Sequence, residues 1–507
     1  MGGCASTRHV PDGEYLLDKV RIQVEGEGAA DVSPSELTGY LRQTPNHRVL
    51  GGLNLQLATY NLSGRDSTKW YNRWVRRLGA PPVIYSEALT ETSARQIQLA
   101  MVNRGYLGAH VEADTVRGRK NGRENKKVEV DYRVRTGAPH RISSVAYDIP
   151  DSAVAREIFS DTTLLAVRPG DLFNRDDLDT ERMLITRRLK ERGYYGFLKE
   201  YITFMADTAE GSLDVGLTLA VRPPKLKPDT AARVSSQAHA HKRYIIKGVT
   251  FVVDEGVARM QDLGRARLDT VSCAPGIDIL YGRDRYLRPS ALVEKCFIVP
   301  GLLYSTRDVD RTYEALSRLG ILRSINIDVA SAGNLGDTGL LDVYIFLSRN
   351  KKQAITLDIE GTNSEGDLGF GVGATYQHRN LAQGSQLLTA RLRMNYESLS
   401  GSFQGLINDR YTEWAGEVGI TFPRFEFPFA SPSWQRRLDV ATEFAVSFNY
   451  QERPEYTRII SGAAWKYKWH NRKGTRRHEF SLLDVNYVYL PKRTNDFLDL
   501  IAPATPL

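Results

Sequence analysis

The sequence predicts an α+β protein: three modules of order β-α-α-β-β, followed by part of an antiparallel transmembrane β-barrel. Three observations carry this. One layout of strand, helical run, glycine stop and strand pair recurs three times before residue 350. Beyond Lys352 the helical period gives way to strict alternation of apolar and polar residues. There is no run of 18 or more apolar residues that could form a membrane helix, whereas a lipid-facing strand needs an apolar residue only at every second position.

The bulk numbers agree. A chain of 507 residues is long enough for three or more domains, and 41% hydrophobic with 25% charged residues fits folded protein. The 68 basic and 60 acidic residues leave +8 spread along the chain, which does not call for nucleic acid. Three cysteines do not make a disulfide scaffold. Cys4 stands in Met-Gly-Gly-Cys4-Ala-Ser, and residues 1–13 are polar. A small-residue pair before cysteine resembles the end of a bacterial lipoprotein signal, whose cysteine is lipidated. The apolar segment that should precede it is missing, so a start further upstream is expected. An incidental cysteine is the alternative.

The first module, residues 14–137, opens with a strand at 17–24. Tyr85-Ser86 then starts a helix that stops at Gly105, and strands follow at 107–115 and 127–135. The second, residues 138–222, has its strand at 141–147, a helix from Phe173-Asn174 to Gly193, and strands at 197–204 and 213–221. A linker at 223–242 leads to the third module, residues 243–349. That module has a strand at 244–253, a helix from Tyr304-Ser305 to Gly320, and strands at 324–329 and 340–347. Aromatic-to-glycine spacings are 20 (85 to 105), 20 (173 to 193) and 16 (304 to 320). The missing four residues are about one helical turn, so the buried face keeps its direction. Ser86, Asn174 and Ser305 are expected N-caps, and Gly105, Gly193 and Gly320 expected left-handed helix stops. Extra sequence sits at 42–71 and 254–299.

Residues 350–507 hold seven strand candidates, at 355–360, 368–377, 388–396, 414–422, 438–450, 459–469 and 480–489. A soluble sandwich also alternates. Here the polar side carries Arg391, Arg393, Glu417 and Glu443, which suits a wet barrel lumen better than a surface, and Trp and Tyr near strand ends suit a membrane interface.

Residues 370–376, Phe-Gly-Val-Gly-Ala-Thr-Tyr, open this region. A turn follows at 380–384, Asn-Leu-Ala-Gln-Gly, and then 422–429, Phe-Pro-Arg-Phe-Glu-Phe-Pro-Phe. With the Arg-Gly-Tyr and Leu-Gly-Ile helix stops, these resemble the BamA/TamA-like family of outer-membrane assembly proteins, in which polypeptide-transport-associated (POTRA) repeats precede a surface-antigen barrel. Cys4, the 10–17 segment Val-Pro-Asp-Gly-Glu-Tyr-Leu-Leu and the 41–46 segment Leu-Arg-Gln-Thr-Pro-Asn resemble the lipidated TamA-like branch of Bacteroidetes-type bacteria. Family barrels close with more strands than seven, and the family's Arg-Gly-Phe/Tyr motif on a lumen loop does not occur beyond Lys352, so a C-terminally truncated barrel is expected.

The resemblance implies a factor that inserts or exports β-barrel or surface proteins. POTRA edges would pair with clients by β-augmentation. The first barrel strand, with Ile355, Leu357 and Ile359, would form a weak seam. The implied partners are unfolded outer-membrane clients, periplasmic partners of the assembly machinery and outer-membrane lipid, with no nucleic acid. The implied place is the outer membrane, with the modules in the periplasm. Alternatives are a two-partner-secretion-type transporter, a passive porin or receptor, and an inert fragment. An oxidising periplasm would allow Cys273 and Cys296 to pair.

No enzyme, cofactor or metal is expected. The sequence holds no GxSxG, HExxH or P-loop. The alternating glycines at 369–373 fit a lumen-facing strand, and the basic run at 117–127 a solvated hairpin loop. His239 and His241 lack ligand partners at metal spacing, and Asn61-Leu-Ser63 is a chance glycosylation triplet.

Overall fold

A computed structural model describes residues 7–47, 54–64, 66, 68–120, 123–209, 211–224, 240–364, 367–398, 410–429, 431, 440–454, 456–471 and 475–493. Cys4 and His239 lie outside the described residues. The chain divides into two compact units, Met1–Leu189 with Phe197–His241, and Lys190–Gly196 with Lys242–Leu507.

In the first unit, β1 (Leu16–Glu25) begins the first module. Helices α1 (Pro34–Leu37), α2 (Leu55–Leu62), α3 (Trp70–Leu78) and α4 (Glu87–Asn103) follow, then β2 (His110–Lys120) and β3 (Arg123–Arg135). The sheet order is β1-β3-β2, with β1 parallel and β2 antiparallel to β3. Alternation along β3 turns Val128, Val130, Tyr132 and Val134 to one buried face, onto which Ile97 and Met101 of α4 pack. Each such side chain contributes roughly 1.5–3 kcal/mol.

The second module repeats this with β4 (Arg141–Asp148), α5 (Ser152–Phe159), α6 (Arg175–Glu191), β5 (Ile202–Asp207) and β6 (Asp214–Val221), in sheet order β4-β6-β5. The strand expected from residue 197 begins only at Ile202, because Lys199–Tyr201 forms a 3-10 turn. Phe197 and Tyr201 there pack against His241 with their rings tilted to it, centroids 4.7 and 5.0 Å away. His241 therefore has a packed, bonded place rather than a loose one in a linker. Its backbone N–H donates to Asp151 Oδ2 at 2.8 Å, and its Nε2 lies 3.1 Å from the Arg222 carbonyl. Burial lowers its pKa.

The second unit contains β7 (Tyr244–Val253), β8 (Asp269–Ala274), β9 (Ile277–Tyr281), α7 (Pro289–Val293), α8 (Thr306–Ser317), β10 (Leu322–Leu335) and β11 (Thr338–Arg349). The extra sequence of this module adds β8 and β9 to the sheet. Its order is β10-β11-β7-β9-β8, five strands where three were expected.

The repeat is written in the backbone bonds. Leu16 bridges Ile84, Arg141 bridges Leu172, and Ile245 bridges Leu303. The residue two before each long helix donates to the start of the first strand: Tyr85 to Tyr15, Phe173 to His140, and Tyr304 to Tyr244, at 2.8, 2.9 and 2.9 Å. Each first strand also skips one residue in its parallel ladder, at Asp18, Ser143 and Lys247.

After β11 comes a meander of seven antiparallel strands. These are β12 (Gln353–Ser364), β13 (Asp367–Leu381), β14 (Gln386–Ser398), β15 (Arg410–Phe422), β16 (Ala441–Glu452), β17 (Tyr456–His470) and β18 (Arg477–Arg493). Each exceeds the about 9–11 residues that a tilted strand needs to cross a bilayer. Register assigns the faces. Ile359 lies opposite Val372, Val372 opposite Met394, Met394 opposite Trp414, and Trp414 opposite Tyr450. A sandwich would bury this apolar face, yet Ile359 is 83% exposed and Val446 64%.

The other face is polar and laddered. Arg393 bonds Glu360, Arg391 reaches Glu417 at 3.4 Å, and Lys468 reaches Glu443 at 2.5 Å. Glu413 accepts from Asn395 at 2.9 Å and Asn449 at 2.6 Å. Gly371 and Gly373 stand on this face; a Cβ on Gly371 would meet Asn395 Oδ1 at 2.7 Å. The fold class is thus α+β modules running into a partial antiparallel barrel sheet.

Candidate functional site

The first barrel strand, β12, pairs with β13 alone, and among the described residues nothing pairs with its outer edge. Its apolar side chains Ile355, Leu357 and Ile359 point together onto the exposed apolar face, while Glu360 turns to the polar face and bonds Arg393. A free row of N–H and C=O groups beside an apolar surface is what an incoming strand would need to pair and bury itself.

The helix-stop glycines do more than end helices. Gly105 and Gly193 adopt φ of +95° and +101°, the left-handed region. The carbonyl of Gly105 accepts from His140 N–H at 2.9 Å, the lead-in of the next module's first strand. A Cβ there would meet the Phe173 carbonyl oxygen at 2.9 Å. Within the second unit the pattern recurs. Gly193 accepts from Tyr244 N–H at 2.9 Å, and Tyr195 sets its ring edge-on to Tyr244 and Tyr304. Each glycine is a helix stop and a junction at once.

Gly320 departs from this. Helix α8 ends at Ser317, and Gly320 is exposed with no left-handed φ. Two successive tight turns, Leu319 N–H to Leu316 and Leu322 N–H to Leu319, lead out of the helix instead. The handover uses the next residue, whose Ile321 carbonyl accepts from Asn350 N–H at 2.6 Å, three residues before β12. Of the three expected N-caps, only Asn174 accepts a helix N–H, from Asp176 at 3.0 Å; Ser86 and Ser305 make no side-chain cap bond. At Ser86 the carboxamide of Gln43 accepts the backbone N–H at 3.1 Å.

Cys273 and Cys296 are free thiols, contrary to the pairing allowed above. Both pack at the margin of the third module's core, but each donates to its own local carbonyl, Val271 and Ile298. Burial pushes the Cys296 thiol up to about 11, so it stays protonated and unreactive at neutral pH.

The turn between β13 and β14 ties the barrel sheet to the third module. Ala382, Gln383 and Ser385 have φ of 53°, 56° and 57°, rare for residues with a Cβ. Buried Asn380 holds them. Its Oδ1 accepts from Ser385 N–H at 2.9 Å, and its Nδ2 donates to the Tyr286 carbonyl at 2.6 Å. Arg288 N–H donates to the Gln383 carbonyl at 2.9 Å. Tyr286 is anchored through its hydroxyl to Leu347 at 3.1 Å, under the Arg349 guanidinium. The sequence marked the turn but gave no sign of its partner, nearly a hundred residues earlier in the added segment. Asn380→Ala should cost about 1–3 kcal/mol, the penalty for stranding buried polar groups. Urea unfolding of the full chain in detergent is the check, and an unchanged midpoint would refute the tether.

Among the described residues no cluster of His, Cys, Asp and Glu could hold a metal, and no helix is long and apolar enough to cross a membrane, which says nothing of strands.

No family model matches the chain, and no curated protein does. Among solved structures, it is similar to the POTRA3-5 region of BamA from Haemophilus influenzae, at 18% identity and TM-score 0.32, covering 67% of this chain and 99% of that one. BamA from Haemophilus ducreyi lacking POTRA domains 1-3 matches at 12% identity and TM-score 0.35, over 68% of this chain and 64% of that one. CdiB from Acinetobacter baumannii matches at 10% identity and TM-score 0.27, over 71% and 55%. The chain thus spans less than two thirds of the length of the last two.

Proposed function

We propose that this chain is an outer-membrane assembly or translocation factor of the BamA and CdiB type, whose modules lie in the periplasm and whose barrel sheet lies in the outer membrane. It carries out no covalent chemistry; its substrate is an unfolded barrel or surface protein. The observation that carries the reading is the edge strand β12, unpaired on its outer side among the described residues, in a sheet with an exposed apolar face and a polar ion ladder on the other. Lipid satisfies the first face and water the second. The modules support it too. Each sheet has edge strands, such as β2, β5 and β10, whose main-chain groups could capture a client regardless of side-chain identity. Lipidation of Cys4 belongs to the same proposal. Palmitate labelling that is lost in Cys4→Ser would support that part.

The test is site-specific photo-crosslinking from Thr356 on β12 in growing cells. Crosslinks to outer-membrane proteins in transit are the expected result. A passive porin would give none while conducting ions.

A further inference from the structure

Helix α3 has no role in the reading above, and its surface is unlike the rest of the first unit. Trp70, Trp74 and Leu78, spaced four apart, fall along one stripe of the helix. They are 74%, 59% and 57% exposed, and Tyr71 beside them is 46% exposed. Arg73 and Arg77 border the stripe, Lys69 precedes it, and all three are exposed without an ion pair among the described residues. Residues 67–86 contain no Asp or Glu.

The helix is held in this orientation. On the opposite side Asn72 is buried, accepting from Gly64 N–H at 2.8 Å and donating to the Asp66 carbonyl at 2.7 Å. Arg76 donates to Ser63 Oγ and the Gly64 carbonyl, and lies 5.6 Å from the Tyr60 ring centre. Ala80 N–H bonds the Gln56 carbonyl of α2 at 3.0 Å. Asn72 and Arg76 thus face the protein, while the tryptophans face out together with Arg73 and Arg77.

We infer that α3 is an interfacial helix that lies on a bilayer carrying anionic phospholipid. Tryptophan and tyrosine favour the headgroup depth, where ring and N–H or O–H both find partners, and flanking Lys and Arg meet phosphate. A second copy docking through the same face would bring Arg73 and Arg77 against like charges. The charged groups of this surface are cations alone, so a uniformly anionic occupant matches it best.

The start of the chain is fastened to the same hairpin. Arg8 donates to the Asn61 carbonyl at 3.0 Å, His9 packs edge-on against Tyr60, and Val10 joins Leu57 in a small core. Cys4 is four residues from Arg8, at most about 14 Å of extended chain. A lipid there would enter the same bilayer, but the contact of α3 does not require it.

The test uses the full chain with Cys4, Cys273 and Cys296 replaced by Ser, and a nitroxide attached at Trp74→Cys. It is mixed with vesicles of phosphatidylethanolamine, with or without phosphatidylglycerol. Collision rates with oxygen, which concentrates in lipid, and with a water-soluble nickel chelate report the label's surroundings. A label at Asp176→Cys on α6 serves as the aqueous control. With phosphatidylglycerol, the label at 74 should gain oxygen access and lose nickel access several-fold relative to the control. Arg73→Glu with Arg77→Glu should abolish this. A label that stays aqueous in both vesicles would overturn the proposal, as would equal oxygen access in both. Shielding from both reagents would mean a protein partner covers the face, and would overturn it as well.

Discussion

Gly105→Val is expected to destabilise the first unit by about 3 kcal/mol. A left-handed backbone costs a β-branched residue on the order of 1–3 kcal/mol, and the new Cβ would press on the Phe173 carbonyl oxygen at 2.9 Å. Backbone cannot swing aside as a side chain can, so the second module's entry strand must move or the helix end must unwind. Gly320→Val is the matched control. Its φ is ordinary and nothing lies within 4 Å of the added carbon, so the change should stay within roughly 0.5 kcal/mol, as at other unconstrained surface sites. Chemical denaturation of the full chain, with amide exchange to localise the loss, measures both. Equal effects would show that the junction at Gly105 is not what holds those residues.

The second large effect separates the two faces of the barrel sheet on adjacent residues. Val446 belongs to the apolar face and Ser447 to the polar one. Val446→Arg should cost about 2–4 kcal/mol in a bilayer, the penalty for a guanidinium near the midplane, while Ser447→Arg should be tolerated in a wet lumen. Urea unfolding of the protein folded in vesicles would show it. Equal tolerance at both positions would point to a face that meets water, and the membrane reading would fail with it.

Much of this architecture was legible because it is local. Each of the seven barrel strands lies where alternation placed one, most with ends that run further than the apolar core of the pattern, since polar strand termini carry no periodic signal. Strand β16 instead begins at Ala441, three residues after the expected 438, and residues 438 and 439 lie outside the described residues. The three modules were legible from the aromatic, helix and glycine order. What stayed hidden depends on distant partners. Gly105, Gly193 and Gly320 read alike along the chain, yet only the first two receive a following module's strand on their carbonyl. His241 looked like a linker residue because Asp151 and Phe197, which fix it, lie far back in sequence. The hairpin of β8 and β9 was missed because residues 269–274, Asp-Thr-Val-Ser-Cys-Ala, alternate only weakly. Spacing gave no distance between Cys273 and Cys296. The seam residues Ile355, Leu357 and Ile359 were legible as a strand, whereas the free edge beside them is a property of the whole sheet.

The parallel ladder that closes each module has a consequence for the order of events in synthesis and export. Leu16 pairs with Lys127, Arg141 with Asp214, and Tyr244 with Gly339, closing intervals of 111 (127 − 16), 73 (214 − 141) and 95 (339 − 244) residues. In the first two modules the first strand made must wait for the last, because the strand that receives it emerges at the end of its module; in the third, β7 also has β9 as an earlier neighbour. The long interval in the first module adds only about 0.4 kcal/mol of closure entropy relative to the second, taken as 1.5 RT ln(111/73). Stability is thus barely taxed by the added segment, but the waiting time is not. A chain threading out of an export channel would present β1 and β4 in turn as unpaired strands, whereas β7 could pair with β9 before β11 arrives, and each module would become complete only when its final strand arrived.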